Sequence, residues 1–257
     1  VAFKGMVKFI TALYKAYIGA DASLFEINPV LKTSDDKIVA VGVHGIILTS
    51  NDMGLTWIQA EEVPFTNTLT DVQCVSDSQC WAVGHDLTIL HSVDGGKNWV
   101  NKLSINKWTG VTDLVINPTN PDILYLASWQ RHRNVAAYMG GGPGTSLYKS
   151  VDGGETWVKI DNGLPSSNMG KIGLAISPMN PKILYAAIEL DRRKGAVYRS
   201  SDSGGSWTKM SDTVSGGTGP HYYQELVASP HHFDRIYLMN VRALVSEDGG
   251  KNILYDE

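Results

Sequence analysis

One eight-residue turn occurs five times in this sequence, and few folds can be built around such a repeat. The copies are Ser50–Trp57, Ser92–Trp99, Ser150–Trp157, Ser200–Trp207 and Ser246–Ile253. They share the pattern S-x-D-x-G-x-[TSN]-W, and the last copy replaces its tryptophan with Ile253. Each residue type has a physical job. The aspartates Asp52, Asp94, Asp152, Asp202 and Asp248 can accept hydrogen bonds from the amides just beyond them. The glycine can take the positive φ that a tight hairpin requires. Trp57, Trp99, Trp157 and Trp207 open the next strand and bury a large ring against the sheet. A short apolar strand precedes each turn: GIILTS, LTILHS, TSLYKS, GAVYRS and RALVS. The turns recur every 42 to 58 residues, a period that suits one four-stranded propeller blade.

A second repeat alternates with the first. It occupies residues 114–125 and 174–185, with a weaker copy at 226–237, and reads strand, proline-bounded turn, strand. Together the two repeats give strands A and B, then C, the aspartate turn and D. The chain is therefore expected to be all-β, a β-propeller of about five four-stranded blades. The blades are expected at residues 23–62, 66–104, 108–162, 168–212 and 219–257, within one domain spanning 23–257. Five blades close as a small ring or form part of a larger one.

The first 22 residues form a separate segment. Val7, Ile10, Leu13, Tyr14, Tyr17 and Ile18 fall on one face at helical spacing, and Gly19 closes the predicted helix. SLFEINPVLKTSDDKIVAV then reads as strand, turn, strand, which would give the first blade its A strand from FEINPVLKT and its B strand from KIVAVGVHG.

Charge and cysteines narrow the function classes. The net charge of −4 gives no reason to expect a nucleic-acid partner. The sequence contains no apolar run approaching the ~18 residues of a transmembrane helix. The N-terminus shows neither an initiator methionine nor a signal-peptide pattern, as expected of a fragment or a processed form. Cys74 and Cys80 flank a short turn in DVQCVSDSQCWAVG, so a local disulfide is predicted, and with it an oxidising compartment. Two cysteines are too few for a structural zinc site. His44, His85, His91, His132, His221, His231 and His232 show no ligand spacing, so neither metal nor cofactor is expected.

Two resemblances attach to these residues. The five turns resemble those of the Asp-box (BNR) propeller superfamily. CWAVGHD followed by LHSVDGGKNW looks like photosystem II assembly factors of the Ycf48 type. INPTNPDILYLASWQRHR, GGGPGTSLYKSVDGGETW and HYYQELVASP are more similar to sortilin (VPS10)-like, glycosyl-hydrolase-annotated repeat proteins. This resemblance covers about residues 42–253 and implies a propeller fold, an extracellular or periplasmic address, and either a binding role or glycoside hydrolysis. Residues 1–41 resemble the ATP-grasp region of the succinyl-CoA synthetase β subunit. In that family the Asn of EINP and a following Asp bind the Mg²⁺ of the nucleotide. Asn28 matches the first, but Gly42 stands where the second is expected. A lone ligand cannot hold Mg²⁺, so a ligase fragment is the weakest reading.

The candidate chemistry is sparse. A side chain that caps its own turn is already committed, so the five aspartates are expected to be architecture, and no catalytic residue is assigned. Sialidase-type sites need an arginine cluster with a tyrosine nucleophile. Arg131, Arg133, Arg192, Arg193, Arg199, Arg235 and Arg242 are present, as are Tyr222, Tyr223 and Glu225, but in no matching pattern. The segment Trp129–Asn134, followed by Gly140–Gly144, is the longest insertion within a blade. Trp129, Arg131 and Arg133 are residue types suited to gripping an acidic or C-terminal peptide; the alternative is a solvated connection with Trp129 tucked under the blade. The expected function is therefore a non-catalytic module that recognises a protein or peptide partner through loops on one face. A carbohydrate-active propeller is the alternative.

Overall fold

A computed structural model describes residues 30–32, 38–42, 45–52, 55–60, 63, 68–74, 76, 78–84, 88–103, 105–190, 194–214, 225–239 and 243–255. The predicted N-terminal helix and Asn28 lie outside the described residues. The chain divides into two compact units, Val1–Ser104 and Ile105–Glu257.

The first unit holds two antiparallel four-stranded sheets. One runs β1 (Val30–Lys32), β2 (Ile38–Val41), β3 (Ile47–Ser50), β4 (Ile58–Gln59). The other runs β5 (Leu69–Cys74), β6 (Cys80–Gly84), β7 (Thr88–Ser92), β8 (Val100–Asn101). In the first sheet Val30 pairs with Ala40 and Lys32 with Ile38, so the ligase-like segment supplies the A strand, at one edge of the sheet. Val39, Val41 and Ile47 pack against Leu69, Val72 and Ala82, which closes the two sheets face to face.

The second unit holds three more sheets. Blade three contains β9 (Thr109–Ile116), β10 (Leu124–Gln130), β13 (Leu147–Ser150) and β14 (Val158–Lys159), interrupted by a hairpin of β11 (His132–Arg133) and β12 (Tyr138–Met139). Blade four contains β15 (Ile172–Ile176), β16 (Leu184–Glu189), β17 (Lys194–Ser200) and β18 (Thr208–Val214). Blade five contains β19 (Glu225–Ala228), β20 (Ile236–Met239), β21 (Ala243–Ser246) and β22 (Leu254–Tyr255). Every neighbouring pair is antiparallel, in A-B-C-D order. The B strands are buried on both faces, as Leu124–Gln130 and Leu184–Ile188 show, and they are accordingly almost continuously apolar. One core lies between blades three and four, from Tyr125 and Leu147 to Ile172 and Leu184. A second lies between blades four and five, from Tyr185 and Val197 to Leu226 and Leu238.

The two sequence repeats turn out to be parts of one device. In the C–D turn of blade three, Ser150 Oγ donates to Asp152 Oδ1 at 2.7 Å and accepts the Gly154 amide at 2.8 Å. Asp152 Oδ1 accepts the Thr156 amide at 2.9 Å, and its other oxygen takes the Thr156 hydroxyl. The same bonds recur around Asp94, Asp202 and Asp248, with Asn98, Ser206 and Asn252 in the threonine's place. The A–B turn is capped separately, by Asn117 Oδ1 on Thr119 and Asn120 and by Ser229 Oγ on His231 and His232. Because strands alternate in direction, both turns fall at the same end of a blade. They are joined there: Gly95 N–H donates to Ser78 O, Gly153 to Asp122, Ser203 to Lys182 and Gly249 to Asp234, all at 2.8–2.9 Å. The donor residue sits at positive φ in each case, 74°, 67°, 61° and 73°. Three of the four are glycines, and Ser203 is the exception.

Cys74 and Cys80 are directly opposed across the A–B hairpin of blade two and are joined by a disulfide. Trp99 and Trp207 are buried, Trp57 and Trp157 half-buried, and each immediately precedes its D strand. Neighbouring blades are latched by a tyrosine and a cation. Tyr125 Oη and Lys149 Nζ both donate to Ser203 O, at 3.3 and 3.0 Å. One blade further on, Tyr185 Oη and Arg199 Nη2 both donate to Asp234 Oδ1, at 3.0 and 2.7 Å.

Candidate binding site

With the repeated turns at one end of each blade, the B–C connections and the starts of the A strands share the other. In blade four the B–C connection is short, and the Leu190 amide is bonded to Lys194 O. In blade three the chain runs on from Gln130 to Leu147 and forms the β11–β12 hairpin, where His132 pairs with Met139 and Arg133 with Tyr138. Asn134 shapes its tip, its Oδ1 accepting the amides of Ala136 and Ala137. A segment expected to be a loop is thus a small β-ribbon.

The foot of this ribbon is fastened to the blade by B-strand side chains. Trp129 Nε1 donates to Gly140 O at 2.9 Å, and Gln130 Oε1 accepts the Gly144 amide at 2.7 Å. Ser128 Oγ donates to Gly144 O at 2.7 Å. A Cβ on Gly144 would lie 2.1 Å from Thr109 Oγ1 and 2.4 Å from Asn106 Nδ2, so only glycine allows this close approach. Trp129, expected to be a contact residue, is only 7 % exposed. Of the two readings of this residue, burial under the blade is the one that matches: its indole N–H supports the foot of the ribbon. Arg131 is half-buried, with its guanidinium 5.3 Å from the Trp129 ring, and Arg133 is exposed.

The outward surface beside them is aromatic and cationic. His132 stacks on Trp108 at 3.8 Å between centroids, tilted by 47°, and Lys107 Nζ lies 4.6 Å from the Trp108 ring. The Arg131 amide donates to Trp108 O at 2.8 Å, which ties the ribbon to the start of β9. Tyr138 is 48 % exposed on the same ribbon. Lys107 beside Trp108 and the exposed Arg133 on the ribbon make this part of the surface cationic, which favours a carboxylate-bearing partner.

Blade four adjoins this surface. The Gly142 amide donates to Met169 O at 3.3 Å, two residues before Lys171. Lys171 Nζ holds Glu225 Oε1 at 2.6 Å, while the Lys171 amide donates to Glu189 Oε2 at 3.1 Å. Burial pushes the Glu189 carboxyl up to about 7, against the opposing bond from the Lys171 amide and the charge of Lys171. The turn aspartates move the other way. Bonds from the Thr156 hydroxyl and amide, and from Ser150, bring Asp152 down to about 2, and bonds from the Ser206 and Ser200 hydroxyls do the same at Asp202. Such carboxylates stay ionised and occupied, which suits architecture and not proton transfer. Among the described residues no group of three or more His, Cys, Asp or Glu could hold a metal ion, and no helix is long and apolar enough to cross a membrane.

Reading the sequence missed Lys107, Trp108, Lys171 and Glu189. An aromatic directly before an A strand was a usable signal for Trp108. Nothing local marks Glu189, whose character comes entirely from burial. His221, Tyr222, Tyr223, Arg192, Arg193 and Arg242 lie outside the described residues.

Antiparallel four-stranded sheets, five among the described residues, each with strands in A-B-C-D order, define a β-propeller protein. The chain belongs to the family described as photosynthesis system II assembly factor YCF48, whose model matches residues 56–221. Among curated relatives, a xyloglucanase of Paenibacillus sp is 27% identical over 139 residues, covering 48% of this chain and 12% of that protein. The β subunit of the ADP-forming succinate–CoA ligase of Flavobacterium psychrophilum is 82% identical over 40 residues, 16% of this chain and 10% of that one. The chain thus spans about a tenth of the length of the curated relatives it matches. Among solved structures, the GH74 xyloglucanase of Xanthomonas campestris superposes with a TM-score of 0.67 at 14% identity, over 86% of this chain and 36% of that one.

Proposed function

We propose that this chain is a non-catalytic binding module that holds an acidic segment of a partner protein against the ribbon of blade three. The observation that carries the reading is the cationic ribbon of Arg131 and Arg133 tied by its backbone to Trp108, with Lys107 over the Trp108 ring. Membership of a family described as an assembly factor supports a protein partner. The Cys74–Cys80 disulfide supports an oxidising compartment, extracellular or periplasmic. The test is fluorescence anisotropy with labelled hexaglutamate, in forms with a free and an amidated C-terminus. Binding should weaken steeply with salt and be lost in Arg131→Ala/Arg133→Ala. An affinity untouched by that double substitution sinks the reading.

One observation favours a second reading, glycoside hydrolysis. Glu189 keeps its proton to about 7 at the same end of the blades, as a general acid must, and the similarity to xyloglucanases points to a β-glucan. Release of reducing ends from xyloglucan by the purified chain, lost in Glu189→Gln, would establish it in place of the first.

A further inference from the structure

Lys171 and Glu225 form an ion pair of unequal members. The lysine side chain is 11% exposed and the glutamate side chain 58%. The ammonium is built into the wall of blade four, whereas the carboxylate reaches it from the first residue of blade five. Glu189 lies beside the lysine but uses Oε2 on its backbone amide, 3.1 Å away. Burial also raises the Glu189 carboxyl to about 7, and Glu225 is the carboxylate that contacts the ammonium.

A buried ammonium left unpaired is costly, so this position requires a carboxylate. It does not require this particular one. Replacing one carboxylate by another preserves the charge and the charge-assisted hydrogen bond, and an exposed side chain gives little resistance to displacement. The site is also continuous with the ribbon. Gly142, at its foot, is bonded to Met169, and a Cβ on the adjoining Gly141 would lie 2.5 Å from Met169 O. The glycine return of the ribbon therefore adjoins the segment that leads into Lys171.

We propose that Lys171 is a carboxylate-binding subsite of this end of the molecule, filled by Glu225 in the free protein and opened when a partner's carboxylate replaces it. This inference rests on the acidic-partner reading above and adds to it a cis competitor that sets affinity.

The experiment measures hexaglutamate affinity for the whole chain and four variants. Glu225→Gln should tighten binding by about tenfold, the low end for one charge-assisted hydrogen bond. Glu247→Gln makes the same charge change at the opposite end of blade five, where Glu247 pairs with Arg235, and should shift affinity by no more than about twofold. Lys171→Met should erase the gain when combined with Glu225→Gln. Lys171→Arg should preserve it, which keeps the test valid if the methionine variant folds poorly. An affinity for Glu225→Gln no tighter than for Glu247→Gln, or a gain that survives Lys171→Met, overturns the subsite while leaving the ribbon as a binding surface. Absence of binding in both the unmodified chain and Glu225→Gln overturns the acidic-partner reading itself.

Discussion

Blades three and four are close copies until their B strands end. Tyr125 and Tyr185 occupy the same position, as do Lys149 and Arg199, and each pair reaches the next blade along the chain. Ser150 and Ser200 make the same three bonds in the C–D turn. Then the copies part. LYLASW ends on Trp129 where LYAAIE ends on Glu189. Trp129 anchors a ribbon by its indole N–H, while Glu189 accepts the Lys171 amide and the chain turns back at once. A framework repeated down to single hydrogen bonds frees one connection to vary, and the variation carries the chemistry.

The most disruptive way to test this contrast is to remove the anchor. Trp129→Ala empties a buried indole site and orphans Gly140 O, so it should destabilise the protein by about 3–5 kcal/mol in urea titration. It should also abolish hexaglutamate binding. If the variant kept both stability and binding, the ribbon would not depend on the B strand.

The sameness of the two frameworks gives the next effect. Ser150 and Ser200 are each about 1% exposed, and each Oγ serves one acceptor and two amides. Ser150→Ala and Ser200→Ala should each cost about 2 kcal/mol by leaving buried amides unsatisfied. Losses that differ by more than about 1 kcal/mol would show that the blades are not energetically equivalent. Arg133→Ala comes next and acts on binding alone. It should weaken hexaglutamate affinity by about tenfold, or about 1.4 kcal/mol, and leave the urea midpoint unchanged because Arg133 is exposed.

Much of this framework was legible in the sequence because it is local. An aspartate that caps amides within four residues leaves its signature in a short window, and five such windows fixed the blade count. The bond from Gly153 to Asp122 was not legible, although both repeats were. It exists only because antiparallel strands bring the two turns to the same end. The ribbon was missed because His132–Arg133 and Tyr138–Met139 are too short and too exposed to alternate, although Asn134 was a readable turn signal. Trp129 stayed ambiguous between a hot spot and a buried prop because its residue type suits both. Its alignment with Glu189 in the neighbouring repeat would have marked it as the end of a buried strand.

That alignment also yields a pH test. The folded-state pKa of Glu189 is raised to about 7 from 4.5. The folded state therefore binds the proton more tightly, and stability must fall as pH rises from 4.5 through 7. With the carboxyl partly open to solvent, the loss should be discounted to about 1 kcal/mol. Glu189→Gln should remove that slope from the pH dependence of the urea midpoint, and a slope unchanged in the variant would assign it to other groups. Blade three has Trp129 at this position and contributes no such slope.

The smallest expected effect lies at the other end of the blades, where Ser203 stands at the position of Gly153. Ser203 holds φ at +61° where Gly153 holds +67°, and both amides make the same bond to the A–B turn. A non-glycine residue costs about 1–2 kcal/mol in this region, against which glycine adds about 0.5–1 kcal/mol of chain entropy to the unfolded state. Ser203→Gly should therefore stabilise the protein by about 0.5–1 kcal/mol, and Gly153→Ser should destabilise it by the same amount. The reverse substitution is sterically clean, since a Cβ at Gly153 would meet only Asp122 Oδ1, at 3.7 Å. The two changes exchange this one residue between the turns and should cancel when combined. A double variant that departs from the parent by more than about 0.5 kcal/mol would mean that the two turns are not interchangeable parts.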